Sequence, residues 1–426
     1  GLAIQILYSL TFPDWPQAMS GFDSPLEAAE LWRKIYPGAQ VELLLLPSID
    51  WPYEMNTEDQ YTAAGVKHGA MLLNRLGLAH MRLVAEGKDG GGPLDQVVGL
   101  FPDYTPSYRT GQNRTRSDPR SLGGRGAASY ATTYQVDFAR AVAPNLGYVS
   151  GESIYNGTGT EFGYDVAGDR LMYGSYNVFS TYFDNPRDPD VHWIRQEDYL
   201  ELMDYDGGAT SPAQVAVGPA AARDYVLISG VLSEYYGVEF SPAWQVTSYQ
   251  APLNPPPGDD YCLELRDDSD AVLESHCFDL DTTHTWQNFQ AGLLLTGSPA
   301  RVVLRQGTTD LGSVDVSSSA PSVAIQTDRV SAAAGDAVSV SWSGSDGDGD
   351  ELAYTILYSA DDQASWLPAA TNITATQYTL NLAEVPGGAK AWVRVEASDG
   401  FHTASDLYGP FAVGDHDPMV SIQSPE

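Results

Sequence analysis

Positive charge is scarce in this chain. Over 426 residues, 22 Lys and Arg stand against 56 Asp and Glu, a formal charge of -34. That imbalance argues against nucleic acid or an anionic membrane as the partner, because polyanions need a positive surface. Cysteine is nearly absent: Cys262 and Cys277 are the only two, so no Cys-rich zinc framework can be written. The seven histidines, His68, His80, His192, His276, His284, His402 and His416, never stand four residues apart. A helix-borne pair of zinc-binding imidazoles is therefore missing, and His68 and His80 have no third His or Cys close by. No Gly-x-Ser-x-Gly elbow is present, and neither cysteine has a partner suited to nucleophilic work. No apolar run reaches membrane-spanning length, and no Lys/Arg-led signal peptide opens the chain. It begins at Gly1 without methionine, which reads as a processed or excised piece. The 56 acids leave a glycosidase-type carboxylate pair open, since sequence gives no distances.

The length is enough for two to four domains with full cores. Leu2 to Leu10 is an apolar, strand-like run. Ser24-Pro25-Leu26-Glu27 starts a helix, with Ser24 as cap and Pro25 in the first turn, and Pro37-Gly38 ends it. Val41 to Leu46 reads as a buried strand. A second helix follows from Thr57, with Ala63, Val66, Leu72, Leu73 and Leu76 as its buried stripe. Met81 to Val84 and Gln96 to Leu100 read as further strands. From Tyr104 to Ala128 the composition is that of a long loop, rich in Gly, Ser and Pro. It carries Arg109, Arg114, Arg116, Arg120 and Arg125, the one cationic patch of an acidic chain. Two readings stand side by side: a solvated loop, or a contact for an acidic face of a neighbouring subunit. Thr132 to Gly147 then has a capped start, Val136, Ala139, Val142 and Ala143 on one face, and a glycine stop. Taken alone it is a core helix. A glycine-rich stretch to Gly174 and an amphipathic helix around Glu197 to Met203 follow.

The surroundings of that central helix resemble metzincin-type zinc metallopeptidases. Asn145-Leu146-Gly147 is similar to the tail of their His-Glu-x-x-His-x-x-Gly-x-x-His motif, in which two imidazoles, a base and a third ligand gather about zinc. Gly163-Tyr164-Asp165-Val166, Asn177-Val178-Phe179-Ser180 and Trp193-Ile194 with Tyr199 resemble segments that follow the zinc helix in one group of secreted enzymes. Ala39-Gln40-Val41-Glu42, the helix near Leu72-Leu73 and Gly99-Leu100-Phe101-Pro102 also fit that order. The resemblance covers roughly residues 25 to 320 and fails at each catalytic position. The ligand positions fall on Arg140, Pro144 and Ser150, the base on Ala141 and the methionine of the turn beneath the metal on Phe179. Arginine repels a cation, alanine takes no proton and proline offers no ligand atom. The resemblance implies a metallopeptidase fold that has lost its zinc site, with no zinc as cofactor.

Near Ser211-Pro212 the pattern changes to short strands between Pro/Gly turns: Tyr225 to Leu232, Val238 to Phe240, Tyr261 to Leu265, Ala271 to Phe278 and Ala300 to Leu304. Leu263-Glu264-Leu265 and Ala271-Val272-Leu273 flank the turn Asp267-Asp268-Ser269-Asp270, which brings Cys262 and Cys277 together. Either they form a disulfide across a hairpin, implying an oxidising compartment, or they are two unpaired thiols. A second β module runs from Pro321 to Val413, with Val338 to Trp342, Leu352 to Tyr358, Tyr378 to Leu382 and Ala391 to Ala397 alternating. Its texture resembles immunoglobulin-like or fibronectin-like modules of secreted proteins. Asp417 to Ile422 repeats the opening Pro321 to Ile325, as if a further module began there. Asp346-x-Asp348-x-Asp350 has the alternate carboxylates of calcium loops without the distal Glu, and reads either as a calcium site or as a plain acidic turn. Asn113, Asn156 and Asn372 head glycosylation sequons.

These readings give a multidomain chain. An α+β, metallopeptidase-like and inactive domain spans 1–211, followed by all-β sandwiches at 212–320 and 321–414. Residues 415–426 are a linker or the start of a further module. The function expected is a non-catalytic extracellular, cell-surface structural or adhesive protein. It is expected to associate with itself or with other surface proteins, without nucleic acid, zinc or a membrane span in this segment. The alternatives are a secreted hydrolase with a divergent active site and a secreted carbohydrate- or protein-binding module set.

Overall fold

The computed structural model describes residues 221–414, apart from 250, 253, 256, 281–285 and 328–336. Before them it describes one helix and short strands between residues 3 and 193. In chain order these are β1 (Ala3–Ile4), β2 (Leu7–Thr11), β3 (Gln40–Val41), β4 (Leu45–Asp50), α1 (Ala63–Glu86), β5 (Val97–Phe101), β6 (Arg120–Ser121), β7 (Ala128–Thr132), β8 (Tyr164–Asp165) and β9 (His192–Trp193). The chain forms two compact units, one of residues 1–44, 95–218 and 420–426, the other of 45–94 and 219–419.

In the first unit β5 lies parallel between β2 and β7, and β6 runs antiparallel to β7. β1 and β3 pair in parallel. β8 pairs antiparallel with β9, joining Tyr164 to Trp193. Three expectations change here. The strand expected over Val41 to Leu46 is two short ones, β3 and β4. The arginine-rich loop contains a strand at Arg120–Ser121. Met81 to Val84 is not a strand but the last turns of α1. The central helix expected after Thr132, the helix from Ser24 and the one near Glu197 lie outside the described residues.

The second unit holds two β-sandwiches and α1. The first sandwich contains β10 (Arg223–Ser233), β11 (Gly237–Phe240), β12 (Trp244–Ser248), β13 (Pro257–Arg266), β14 (Val272–Phe278), β15 (Gln287–Leu294), β16 (Arg301–Gln306) and β17 (Thr309–Asp315). The long β10 pairs with β15 on one side and with β12 and β11 on the other. The facing sheet runs β14-β13-β16-β17. Val226, Ile228, Leu263, Leu265, Phe278, Phe289, Leu293, Val302 and Leu304 fill the space between the sheets.

The second sandwich contains β18 (Ser322–Ile325), β19 (Ala337–Ser345), β20 (Ala353–Ser359), β21 (Leu367–Ile373), β22 (Gln377–Asn381), a 3-10 turn at Leu382–Glu384, β23 (Gly388–Ser398) and β24 (Thr403–Val413). A three-stranded sheet β18-β19-β22 faces a four-stranded sheet β21-β20-β23-β24. Trp342 meets Tyr354 edge-on at 5.4 Å at its centre, where aromatic rings prefer T-shaped or offset contacts. Along β19 burial alternates, as period-two side chains dictate when one face meets water.

β10 and β20 break that rule. Every residue from Tyr225 to Ser233 and from Ala353 to Ser359 is buried, so both faces of each strand are covered. Helix α1 supplies cover on the outer side of β10 and at the Ala353 end of β20. Leu78, Met81 and Ala85 pack with Tyr225, Leu227, Trp244 and Val246 of the first sandwich and Ala353 of the second. Ala70 packs with Val231 and Trp286. Gly77 allows the approach: a Cβ there would stand 1.9 Å from Gln290 Oε1 of β15. Leu72, Leu73, Leu76, Leu78, Met81 and Leu83 are buried, each worth about 1.5–3 kcal/mol. Taken alone the helix is poor. It carries Gly65, Gly69 and Gly77, no acid in its first turn and no base in its last. Its stability therefore comes from docking.

Candidate functional site

A buried polar site lies where α1 meets both sandwiches. Arg82 sits in an apolar stretch of the helix with its side chain 1 % exposed. Its Nη1 donates to Glu86 Oε1 at 2.6 Å and its Nη2 to Glu396 Oε2 of β23 at 2.5 Å. Arg394, two residues earlier on β23, donates to Glu86, and its Nε lies 3.0 Å from Glu396 Oε1. Two guanidiniums and two carboxylates thus alternate in a charge-neutral ring. Each arginine also lies over an indole: Arg82 is 5.4 Å from the Trp244 ring and Arg394 4.4 Å from that of Trp366. Burial pulls the Arg394 pKa down to about 10; Glu396 opposes the shift and Arg82 adds to it. The group remains a cation at neutral pH.

Glu86 at the carboxyl end of α1 opposes the helix dipole, and the two arginines offset it. The end is capped by both sandwiches. Ser248 Oγ donates to the Ala85 carbonyl at 2.7 Å and the Trp366 amide to the Glu86 carbonyl at 3.3 Å. Further along, Arg75 Nε donates to Thr371 Oγ1 at 3.3 Å, and Asn288 Nδ2 to the Ala70 carbonyl and Asn74 Oδ1. Near its start, Lys67 Nζ pairs with Glu239 Oε1 at 2.6 Å.

The sandwiches also hold each other directly. The turn between β23 and β24 places Phe401 in the core of the first sandwich. Around it the Ala243 amide donates to the Gly400 carbonyl at 3.0 Å, Ser398 Oγ to the Ala243 carbonyl at 2.6 Å and the Gln245 amide to Thr403 Oγ1 at 2.9 Å.

The sequence-level candidates fall as follows. Cys262 and Cys277 face each other across the β13–β14 ladder and form a disulfide. The turn closing that hairpin is held by Asp267 Oδ1, which accepts from the amides of Ser269 and Ala271, with Asp270 at φ 67°. Asp346, Asp348 and Asp350 come together, with one carboxylate oxygen of each within 4.8 Å of the others. Asp346 and Asp348 already accept hydrogen bonds inside the fold, while Asp346 Oδ2 is buried without a hydrogen-bond partner. Asp346 Oδ1 accepts from the amides of Asp348, Gly349 and Asp350. Asp348 accepts from the hydroxyls of Ser317, Ser318 and Ser319 and from the amides of Ser318 and Ser319, in the linker between the sandwiches. These bonds, the one from Ser317 first, hold the Asp348 carboxyl below its usual range, against desolvation. Asn372, at φ 50°, accepts from Trp244 Nε1 at 2.8 Å through Oδ1, so this sequon asparagine helps join the sandwiches. Asn113 and Asn156, the degenerate zinc positions Arg140, Ala141, Pro144, Ser150 and Phe179, and Arg109, Arg114, Arg116 and Arg125 lie outside the described residues. Arg120 stands on β6 opposite Tyr130.

Sequence reasoning missed the ring of four charges. Its local trace is the Val393-Arg394-Val395-Glu396-Ala397 segment, with two opposite charges on one face of a buried strand, and Arg82 within an apolar helix. It also missed Phe401, whose signal is an aromatic residue in an otherwise polar hairpin turn. A second cluster passed unnoticed on the outer face of β13. There Glu264 accepts from Arg266 and Arg305, and Arg266 forms a forked pair with Asp310. That fork, ahead of Glu264 and Asp270, raises the Arg266 pKa further, against desolvation.

No family model matches the chain, and no curated protein matches it. Among solved structures it is similar to fibronectin(III)-like modules of Clostridium thermocellum CbhA, at 14% identity over 48% of this chain and 97% of that one, with a TM-score of 0.19. It is also similar to an amphioxus IgVJ-C2 molecule, at 9% identity over 38% and 92% with a TM-score of 0.15. The third, domains 4 and 5 of the S-layer protein SbsC, gives 16% over 43% and 92% with a TM-score of 0.14. At these scores the likenesses carry no argument, and the sandwich assignment rests on the strand pairing and cores above.

Proposed function

We propose that this chain is a non-catalytic extracellular protein of structural or adhesive type that associates with itself, with an N-terminal part built on a metallopeptidase-like scaffold without a zinc site. The observation that carries the reading is the junction. Two sandwiches and a helix distant in sequence share buried charges, a shared core residue and capped helix carbonyls, the arrangement of a stiff body rather than of beads on a linker. The Cys262–Cys277 disulfide supports an oxidising compartment. The peptidase-like scaffold rests on the sequence resemblance alone. Metal analysis after dialysis is expected to find under about one-tenth equivalent of zinc; stoichiometric zinc together with hydrolysis of denatured casein favours the hydrolase instead.

For association, the arginines between Arg109 and Arg125 offer the cationic counterpart to an acidic face of a second copy. Light scattering should show concentration-dependent assembly that weakens from low salt to about 1 M, as screened charges require. Replacing Arg114, Arg116 and Arg120 by Ser should reduce it. A monomer under every condition contradicts the reading. The binding-module alternative would then lead, on the strength of Tyr235 and Tyr236, which stand exposed at the β10–β11 turn with Tyr236 stacked on Trp286 at 5.5 Å.

A further inference from the structure

We infer that Asp346, Asp348 and Asp350 bind one calcium ion in the turn between β19 and β20, and that the ion fastens this turn to the linker between the sandwiches. The site does not depend on self-association.

The turn gathers like charges. One carboxylate oxygen of each aspartate lies within 4.8 Å of the others, a range at which anions repel. Among the described residues no lysine or arginine pairs with any of the three. Exposed acids cluster in many proteins without an ion, so a separate observation has to decide, and Asp346 provides it. Its Oδ1 accepts from the amides of Asp348, Gly349 and Asp350, which fixes the carboxylate in place. Its Oδ2 is sealed from water and meets no donor. No other carboxylate oxygen among the described residues is left in that state. A buried anionic oxygen with neither water nor a donor is strongly disfavoured. A cation beside it removes that cost and the mutual repulsion together.

The donors are all oxygens and carry three negative charges, which suits a hard divalent cation. Calcium fits better than magnesium. It accepts irregular shells of about six to eight oxygens, some from water, whereas magnesium needs a near-ideal octahedron and dehydrates reluctantly. Asp348 and Asp350 are exposed, so water can complete the shell on their side. The Asp350 carboxylate makes no hydrogen bond or ion pair among the described residues and is left for the ion. Asp348 also accepts from Ser317, Ser318 and Ser319, so an ion held by Asp348 joins the acidic turn to the linker. With no distal Glu, the affinity belongs with that of extracellular modules, a Kd of about 0.1–1 mM.

The full chain, stripped with EDTA and kept at about 0.15 M salt to screen its surface, is titrated with radioactive calcium in equilibrium dialysis. About one calcium per chain should bind saturably in that range. Calcium at about 10 mM should raise Tm by about 3–10 °C, and magnesium at the same concentration should do much less. A chain of charge -34 also attracts calcium diffusely, and paired variants separate the two effects. Asp346→Asn keeps an oxygen for the three amides and puts an amide nitrogen in place of Oδ2; it is combined with Asp350→Asn. Asp259→Asn with Asp260→Asn removes the same charge from exposed residues elsewhere. The first pair should lose the saturable calcium and most of the Tm rise, and the second should keep both. Asp350→Asn alone guards against misfolding: it should melt like the wild type without calcium and bind calcium about tenfold more weakly or worse. Equal calcium uptake by both pairs, no saturable uptake by the wild type, or magnesium as effective as calcium would each overturn the site.

Discussion

Arg82→Met is the most informative single substitution at the junction. Methionine keeps much of the arginine stem and removes the charge. Glu396, with its side chain 6 % exposed, loses a 2.5 Å partner, and Glu86 loses one at 2.6 Å. Arg394 then faces two buried carboxylates, so one negative charge is left uncompensated. Breaking a buried pair from one side costs about 3–5 kcal/mol. At about 2–4 °C per kcal/mol for a body of this size, Tm should fall by about 6–20 °C. The companion variant replaces all four charges together, with Met for Arg82 and Arg394 and Leu for Glu86 and Glu396. It should recover most of that loss, because apolar groups of similar volume avoid the desolvation cost. Trp244 and Trp366 lie against the ring, so intrinsic fluorescence during heating reads the site directly. If Arg82→Met melts within about 2 °C of the wild type, the arginine is not buried against these carboxylates and the junction is wrongly described.

Phe401→Ala empties a site in the first sandwich from a residue of the second, and should cost about 3–5 kcal/mol in urea unfolding monitored at both sandwiches; an effect confined to the second sandwich would contradict the shared core. Reduction of Cys262–Cys277, 15 residues apart, should lower stability by about 3 kcal/mol, and the native oxidised protein should show no titratable thiol. Asp348 is an acid whose folded pKa is depressed, so its hold on the linker is complete above the ordinary carboxylate range and fails only as pH falls through the lowered value. The Ser318 and Ser319 amide resonances should therefore keep their positions at about pH 4 and move below it; movement centred above that value counts against the serine contacts.

The disulfide hairpin was legible because everything that makes it is local: two strands, an Asp-rich turn and a cysteine at each side. β19 was legible because one face meets water and its burial alternates from Ala337 to Ser345. The end of α1 was not. Met81-Arg82-Leu83-Val84 reads as a strand because a helix buried on more than one side has apolar residues all round and loses its 3.6-residue stripe. The spacing of Asp346, Asp348 and Asp350 suggested a cation. The serines that occupy Asp348 approach from about 30 positions away, which no local pattern displays. The pairing of Arg82 with Glu396 is hidden for the same reason: tertiary contact sets it, and the two segments carry no mark of each other.

The account stands or falls on helix α1 and the two sandwiches being one cooperative body. Native-state hydrogen exchange measures that directly, with peptides covering 70–85, 225–232 and 353–359 followed over denaturant. The account predicts that their slowest amides open with a common free energy and converge on one unfolding event. A helix that exchanges freely while both sandwiches stay protected would contradict it.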